Sequence, residues 1–179
     1  MKTIGRFLIV FAWMSVSAFA ADVTLFGGYQ HQGKISLTDA SSGTATKIIK
    51  NPFNVGVFGI RAASGKVWGH EETIAYAPNF IDTDSKAFIL NSNLMVTVPA
   101  PVVKPYITAG IGTFFVREKG MQGISAIGTK FAINYGGGVK LMPAGPVGVR
   151  ADVRGYTLTG VQSQKMNIVE ASLGIVFHF

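Results

Sequence analysis

In the run VGVRADVRGY, Arg150, Asp152 and Arg154 stand two apart. Successive side chains of an extended strand point to opposite faces, so these three project to one side. Lys140 and Glu170 occupy the matching phase of the flanking alternating segments, and Glu71 is a further acidic partner for the arginines. Such a set suits either a polar conduit or an internal salt-bridge network that pairs every charge, because an unpaired buried ion is costly.

Catalysis has weaker support. Hydrolysis by a serine route needs a base in hydrogen-bond reach of the nucleophile and a third group that orients the base. The histidines His31, His70 and His178 fall in separate segments, and His178 is six positions from Ser172. There is no cysteine, no GxSxG, no His/Asp/Glu cluster at metal-ligand spacing and no phosphate loop. The glycine-rich stretch YGGGVK lies inside an alternating segment and reads as close packing. No catalytic residue, metal or cofactor is expected.

The elements that hold these residues follow from composition. A 48% hydrophobic content and a mean hydropathy of +0.35 suit a membrane protein. The longest uncharged apolar run, 7–21, is nevertheless short of the ~20 residues a spanning helix needs. That run follows Lys2 and Arg6 and leads into Ala18-Phe19-Ala20, the pattern of an export leader over residues 1–20. Residues 21–179 then form a single exported domain, and without cysteines its stability must come from a sheet or a core.

Read with a period of two, the mature chain divides into eight segments, near 23–31, 53–61, 67–76, 87–98, 106–116, 131–141, 147–156 and 169–179. Connections between them alternate long and short, which places long loops at one end of an up-and-down sheet and short turns at the other. One face of most segments carries bulky apolar residues, for example Phe131, Ile133 and Tyr135. The other carries Gly, Ala, Asn and the charged set. Hydrocarbon admits strands only as a closed ring in which every peptide group is bonded. The expected fold is therefore an all-β, eight-stranded antiparallel up-and-down transmembrane barrel, apolar outside and charged within. Eight strands leave an interior about filled by side chains, so a plugging network is expected rather than a conduit.

The adjacent Glu71 and Glu72 strain this scheme, since one of them faces lipid unless a bulge near Gly69 intervenes. Glu71 is expected inside. Tyr29, Trp68, Tyr76 and Tyr106 fall near strand ends, where aromatic girdles sit.

The leader, the loop alternation, PYITAGIG, YGGGVKL, VGVRADVRGY and the aromatic end together resemble the small eight-stranded outer-membrane barrels, the OmpA/OmpX-like group. The resemblance covers the whole mature chain. It implies an outer-membrane location in a Gram-negative-type bacterium. It also implies that Leu173, Ile175, Phe177 and Phe179 form a C-terminal signal read by the barrel-assembly machinery. The chain stops at the barrel, so no periplasmic peptidoglycan-binding domain is expected.

Removing Lys2 and Arg6 from the 16 Lys+Arg leaves 14 against 9 Asp+Glu. That excess favours anionic neighbours, either outer-leaflet glycolipid phosphates or an acidic ligand at the loops. The basic residues form no stripe, so nucleic acid is not an expected partner. The expected function is a non-enzymatic, monomeric surface or structural barrel with loops free to bind. A narrow pore is the main alternative, and a lipid-modifying enzyme a more remote one.

Overall fold

The computed structural model describes residues 22–33, 35–39, 46–50, 53–80, 85–118, 128–143, 145–161 and 164–179; the expected leader lies outside them. Among the described residues ten strands occur in chain order: β1 (Asp22–Gln32), β2 (Ile35–Asp39), β3 (Thr46–Lys50), β4 (Phe53–Ser64), β5 (Trp68–Pro78), β6 (Ser85–Thr97), β7 (Val103–Glu118), β8 (Thr129–Leu141), β9 (Val147–Val161) and β10 (Gln164–His178). Eight of them close a barrel in the order β1-β10-β9-β8-β7-β6-β5-β4, each antiparallel to its neighbours. β2 and β3 pair as a separate two-stranded sheet within the first long connection, outside the eight alternating segments.

The ring closes between the first and last strands, in a ladder from Asp22↔His178 to Gln32↔Ile168. β10 stops at His178, one residue short of the expected end, and Phe179 follows it at 81% exposure. Closure leaves no open edge, which is what lets strands cross hydrocarbon. No described helix is long and apolar enough to do so. Two short connections turn on glycines with positive φ, Gly65 at 94° and Gly145 at 81°, a backbone region that other residues enter at a cost. At the seam Gly28 faces Ser172, and a Cβ there would sit 2.6 Å from the serine Cβ, so the two strands can pair only over a bare glycine.

Burial alternates along the strands with the expected sidedness: Leu25, Ile60, Leu94, Ile107, Ile133, Val153 and Leu173 are exposed on the outer wall. Two corrections follow. β4 runs in the opposite phase to the one its valines suggest, with Val55 and Val57 buried and Phe58 exposed. The interior is also not charged throughout. Val55, Val57, Phe80, Ile89, Phe114, Tyr156, Leu158 and Ile168 belong to an apolar cluster packed inside the barrel, on the side of the long connections. Lipid is as apolar as this cluster, so close packing around Val55 and Val57, not hydrophobicity, separates the two phases.

Candidate functional site

Beneath the apolar cluster, toward the short turns, lies the ionic layer. β9 contributes Arg150, Asp152 and Arg154, β4 Arg61, β5 Glu71, and β10 Glu170. All six are at most 4% exposed. Asp152 is the hub: it accepts from Arg61 Nη1 at 3.0 Å, Arg150 Nε at 2.9 Å and Arg154 Nη2 at 3.0 Å. Glu71 takes Arg150 Nη2 at 2.5 Å and Arg154 Nη2 at 2.7 Å. Glu170 takes Arg61 Nη2 at 2.6 Å and Gln30 Nε2 at 2.9 Å. Three guanidinium groups thus meet three carboxylates, so the layer is neutral as a whole. That balance makes burial of so much charge tolerable, since each ion's desolvation is offset only by good geometry.

The sequence reading missed Arg61, though its parity marks it. It shares the phase of Val55 and Val57, and once Phe58 and Ile60 face lipid, Arg61 must point inward. Its guanidinium carbon also lies 3.6 Å from the Phe26 ring centroid, a cation–π contact that shields one face of the charge.

Tyr106 is the correction among the expected girdle aromatics. It is 4% exposed inside the barrel, donates from its hydroxyl to Asp152, and accepts from Arg150 Nε at 2.7 Å. Its phase is that of Thr108 and Gly112, both buried, so the pleat rather than proximity to a strand end decides where it points. Tyr29 and Trp68 do lie on the outer wall, 70% and 77% exposed, and Tyr76 is half-buried there. Leu173 and Ile175 face outward at 71% and 50% exposure, with Phe177 partly covered.

Lys140 is buried, as its phase required, but outside the arginine layer: its Nζ meets Asp22 Oδ2 at 2.5 Å. Asp22 also bonds His178 Nδ1 at 2.6 Å, so the short-turn end carries its own polar closure.

β5 contains no bulge; its pairing with β6 is continuous from Trp68↔Val96 to Pro78↔Lys86. Glu71 therefore points inward and Glu72 outward. The outward carboxylate is met rather than bare: Ser92 Oγ donates to Glu72 Oε1 at 2.9 Å, and His70 Nε2 lies 2.9 Å from Ser92 Oγ and 3.2 Å from Glu72 Oε1. Among the described residues no group of three or more His, Cys, Asp or Glu is placed to hold a metal ion.

A closed eight-stranded antiparallel barrel with an apolar outer wall and a filled interior is the architecture of a small outer-membrane barrel protein. The chain belongs to the outer membrane protein beta-barrel domain family, whose model matches residues 7–179, and its location is the outer membrane. Solved structures agree in fold. Neisserial surface protein A is 16% identical, with 88% of this chain and 97% of that one covered and a TM-score of 0.63. The N-terminal barrel domain of Pseudomonas aeruginosa OprF is 13% identical, covers 89% and 98%, and has a TM-score of 0.58. The outer membrane enzyme PagL is 14% identical, covers 89% and 100%, and has a TM-score of 0.51. Comparison with curated proteins finds no match.

Proposed function

We propose that the protein is a non-enzymatic barrel of the bacterial surface, stabilising the outer membrane and presenting its long connections to external ligands, with the lumen closed. The observation that carries this reading is the double filling of the interior, an apolar cluster stacked on a neutral ionic layer. On the same reading the leader 1–20 is removed, the barrel-assembly machinery reads Leu173, Ile175, Phe177 and Phe179, the barrel is a monomer, and its standing partners are the membrane lipids and glycolipids.

The outer-wall trio of His70, Glu72 and Ser92 argues for structure over hydrolysis. In a working triad the two ring nitrogens divide the labour, one taking the serine proton and the other held by the carboxylate. Here Ser92 and Glu72 both meet Nε2. The serine also gives its proton to the carboxylate, so the hydroxyl is spent on satisfying a charge in the wall. Replacing Ser92 with Ala, or His31, His70 and His178 together, is expected to leave the acyl chains of membrane phospholipid and glycolipid unchanged by mass spectrometry. A change in acyl pattern that vanishes in those variants would make the protein a lipid-modifying enzyme.

The pore alternative is tested in planar bilayers. The folded full-length protein is expected to give no discrete conductance steps. Steps that disappear when Arg150 or Arg154 is replaced would overturn the closed-lumen reading.

A further inference from the structure

We infer that the short-turn mouth of the barrel is a binding site for a phosphate group, held by cations of β7, β8 and β9 on the lumen side of the wall. The site goes beyond the surface role, since the short turns of outer-membrane barrels face the periplasm.

Register builds the site. Lys104 pairs with Lys140, and Lys140 with Arg150, so three cationic residues stand in a row across adjacent strands. Lys104 has the inward phase of buried Tyr106, and Lys140 and Arg150 are themselves buried. The Tyr106 ring lies among them, its centroid 4.6 Å from Arg150 Cζ and 5.8 Å from Lys140 Nζ. Two donors in this row are unused. The Lys104 ammonium, half-buried, meets no acceptor. Arg150 gives Nε and Nη2 to Tyr106, Asp152 and Glu71, while its enclosed Nη1 has no partner.

No side chain of the protein supplies the missing counter-charge. Of the nine acidic residues, Asp39, Asp82, Asp84 and Glu118 lie in or beside the long connections at the other end. Glu71, Asp152 and Glu170 belong to the neutral ionic layer, and Glu72 faces outward. Only Asp22 is left, and Lys140 and His178 already share it. The three short connections are described except at Ala144, so no acidic side chain is missing from this end. Like charges directly opposite on one face of a sheet repel, so Lys104 beside Lys140 costs the protein stability on its own. An anion between them turns that repulsion into attraction. A carboxylate brings one charge and two oxygens, whereas a phosphate brings up to two charges and three oxygens, enough to meet both lysines and Nη1 at once. The phosphate within reach is either free in the periplasm or part of an inner-leaflet phospholipid headgroup at the level of the short turns.

The test uses the full chain folded in dodecyl maltoside, a detergent without phosphate. Inorganic phosphate is titrated at constant ionic strength, and binding is read from the rise in the unfolding midpoint, followed by heat-modifiable migration. The wild type is expected to gain stability. Lys104→Gln is expected to need about tenfold more phosphate for the same gain, the weight of one charge-assisted hydrogen bond. Without phosphate this variant is expected to match or exceed the wild-type midpoint, because it relieves the Lys104–Lys140 repulsion. Lys104→Arg keeps the charge and is expected to keep the response, as is Lys66→Gln, which removes a cation from the exposed turn between β4 and β5. Phosphatidylglycerol in the micelles identifies the source. If it raises the wild-type midpoint, leaves Lys104→Gln unmoved and abolishes the further response to phosphate, the site holds a headgroup; if the phosphate response persists beside it, the site holds free phosphate. An equal phosphate response from Lys104→Gln would overturn the site. So would an equal loss in Lys66→Gln, which makes the effect general attraction, or an equal gain from acetate, which removes the preference for phosphate. A Lys104→Gln midpoint clearly below wild type without phosphate would show that Lys104 is already satisfied, and would overturn it too.

Discussion

Replacing Asp152 with Ala is expected to cost about 3–5 kcal/mol of unfolding free energy, the range for breaking a buried ion pair by removing one partner. The loss falls at the upper part of that range because Asp152 serves three guanidinium groups and the Tyr106 hydroxyl at once. Without it Arg61, Arg150 and Arg154 face only Glu71 and Glu170, leaving one uncompensated positive charge in a dry interior. Asp152→Asn keeps the shape and removes the charge, so it is expected to fare little better. The paired change Asp152→Leu with Arg154→Met leaves Arg61 on Glu170 and Arg150 on Glu71, and is expected to recover most of the stability, because exchanging a whole buried pair for apolar groups is often neutral. Equilibrium denaturant titration of the folded protein in lipid, followed by the heat-modifiable gel shift, reads all three variants. A loss below about 1 kcal/mol for Asp152→Ala would mean that water in the lumen solvates these charges and that the layer is not the buried network its geometry describes.

Much of this layer was legible because the pleat has a period of two. Arg150, Asp152 and Arg154 share a parity, and Lys140, Glu170 and Glu71 fall in phase once the bulky residues of their own strands are turned outward. What parity cannot supply is depth along the barrel. Lys140 has the right face and lies near the short-turn end, where it pairs with Asp22 instead of Glu71 or Asp152. Nor does a face-assignment rule work where both faces of a strand are apolar. In β4, Val55 and Val57 compete with Phe58 and Ile60 for the lipid side, and only packing inside the barrel decides between them. That single ambiguity hid Arg61. The same blindness concealed the apolar upper interior, because Ile89, Phe114 and Leu158 are buried by neighbours distant in sequence. Tyr106 was misplaced for a different reason. A girdle position and a lumen position both lie near a strand end, so closeness to an end does not tell them apart, whereas the parity Tyr106 shares with Thr108 points inward.

The two stacked layers make a second strong expectation, and it concerns the apolar one. Phe114 is fully buried, with its ring edge-on to Tyr156 at 5.6 Å between centroids and 5.7 Å from Phe80. Truncation to Ala removes both contacts and leaves a cavity, for which about 3–5 kcal/mol is the usual cost. The barrel is nonetheless expected to stay closed to ions, since permeation needs an unbroken wet path and the arginine–carboxylate layer still blocks it below. By the same reasoning Arg154→Ala alone stays silent, because the aromatic stack blocks the path above. Discrete conductance is expected only when Phe114→Ala and Arg154→Ala are combined, thinning both layers of an interior that eight strands make just wide enough for side chains. Planar-bilayer recordings of the three variants decide it. Openings in Phe114→Ala by itself would show that the ionic layer conducts, and would move the protein from surface barrel to gated pore.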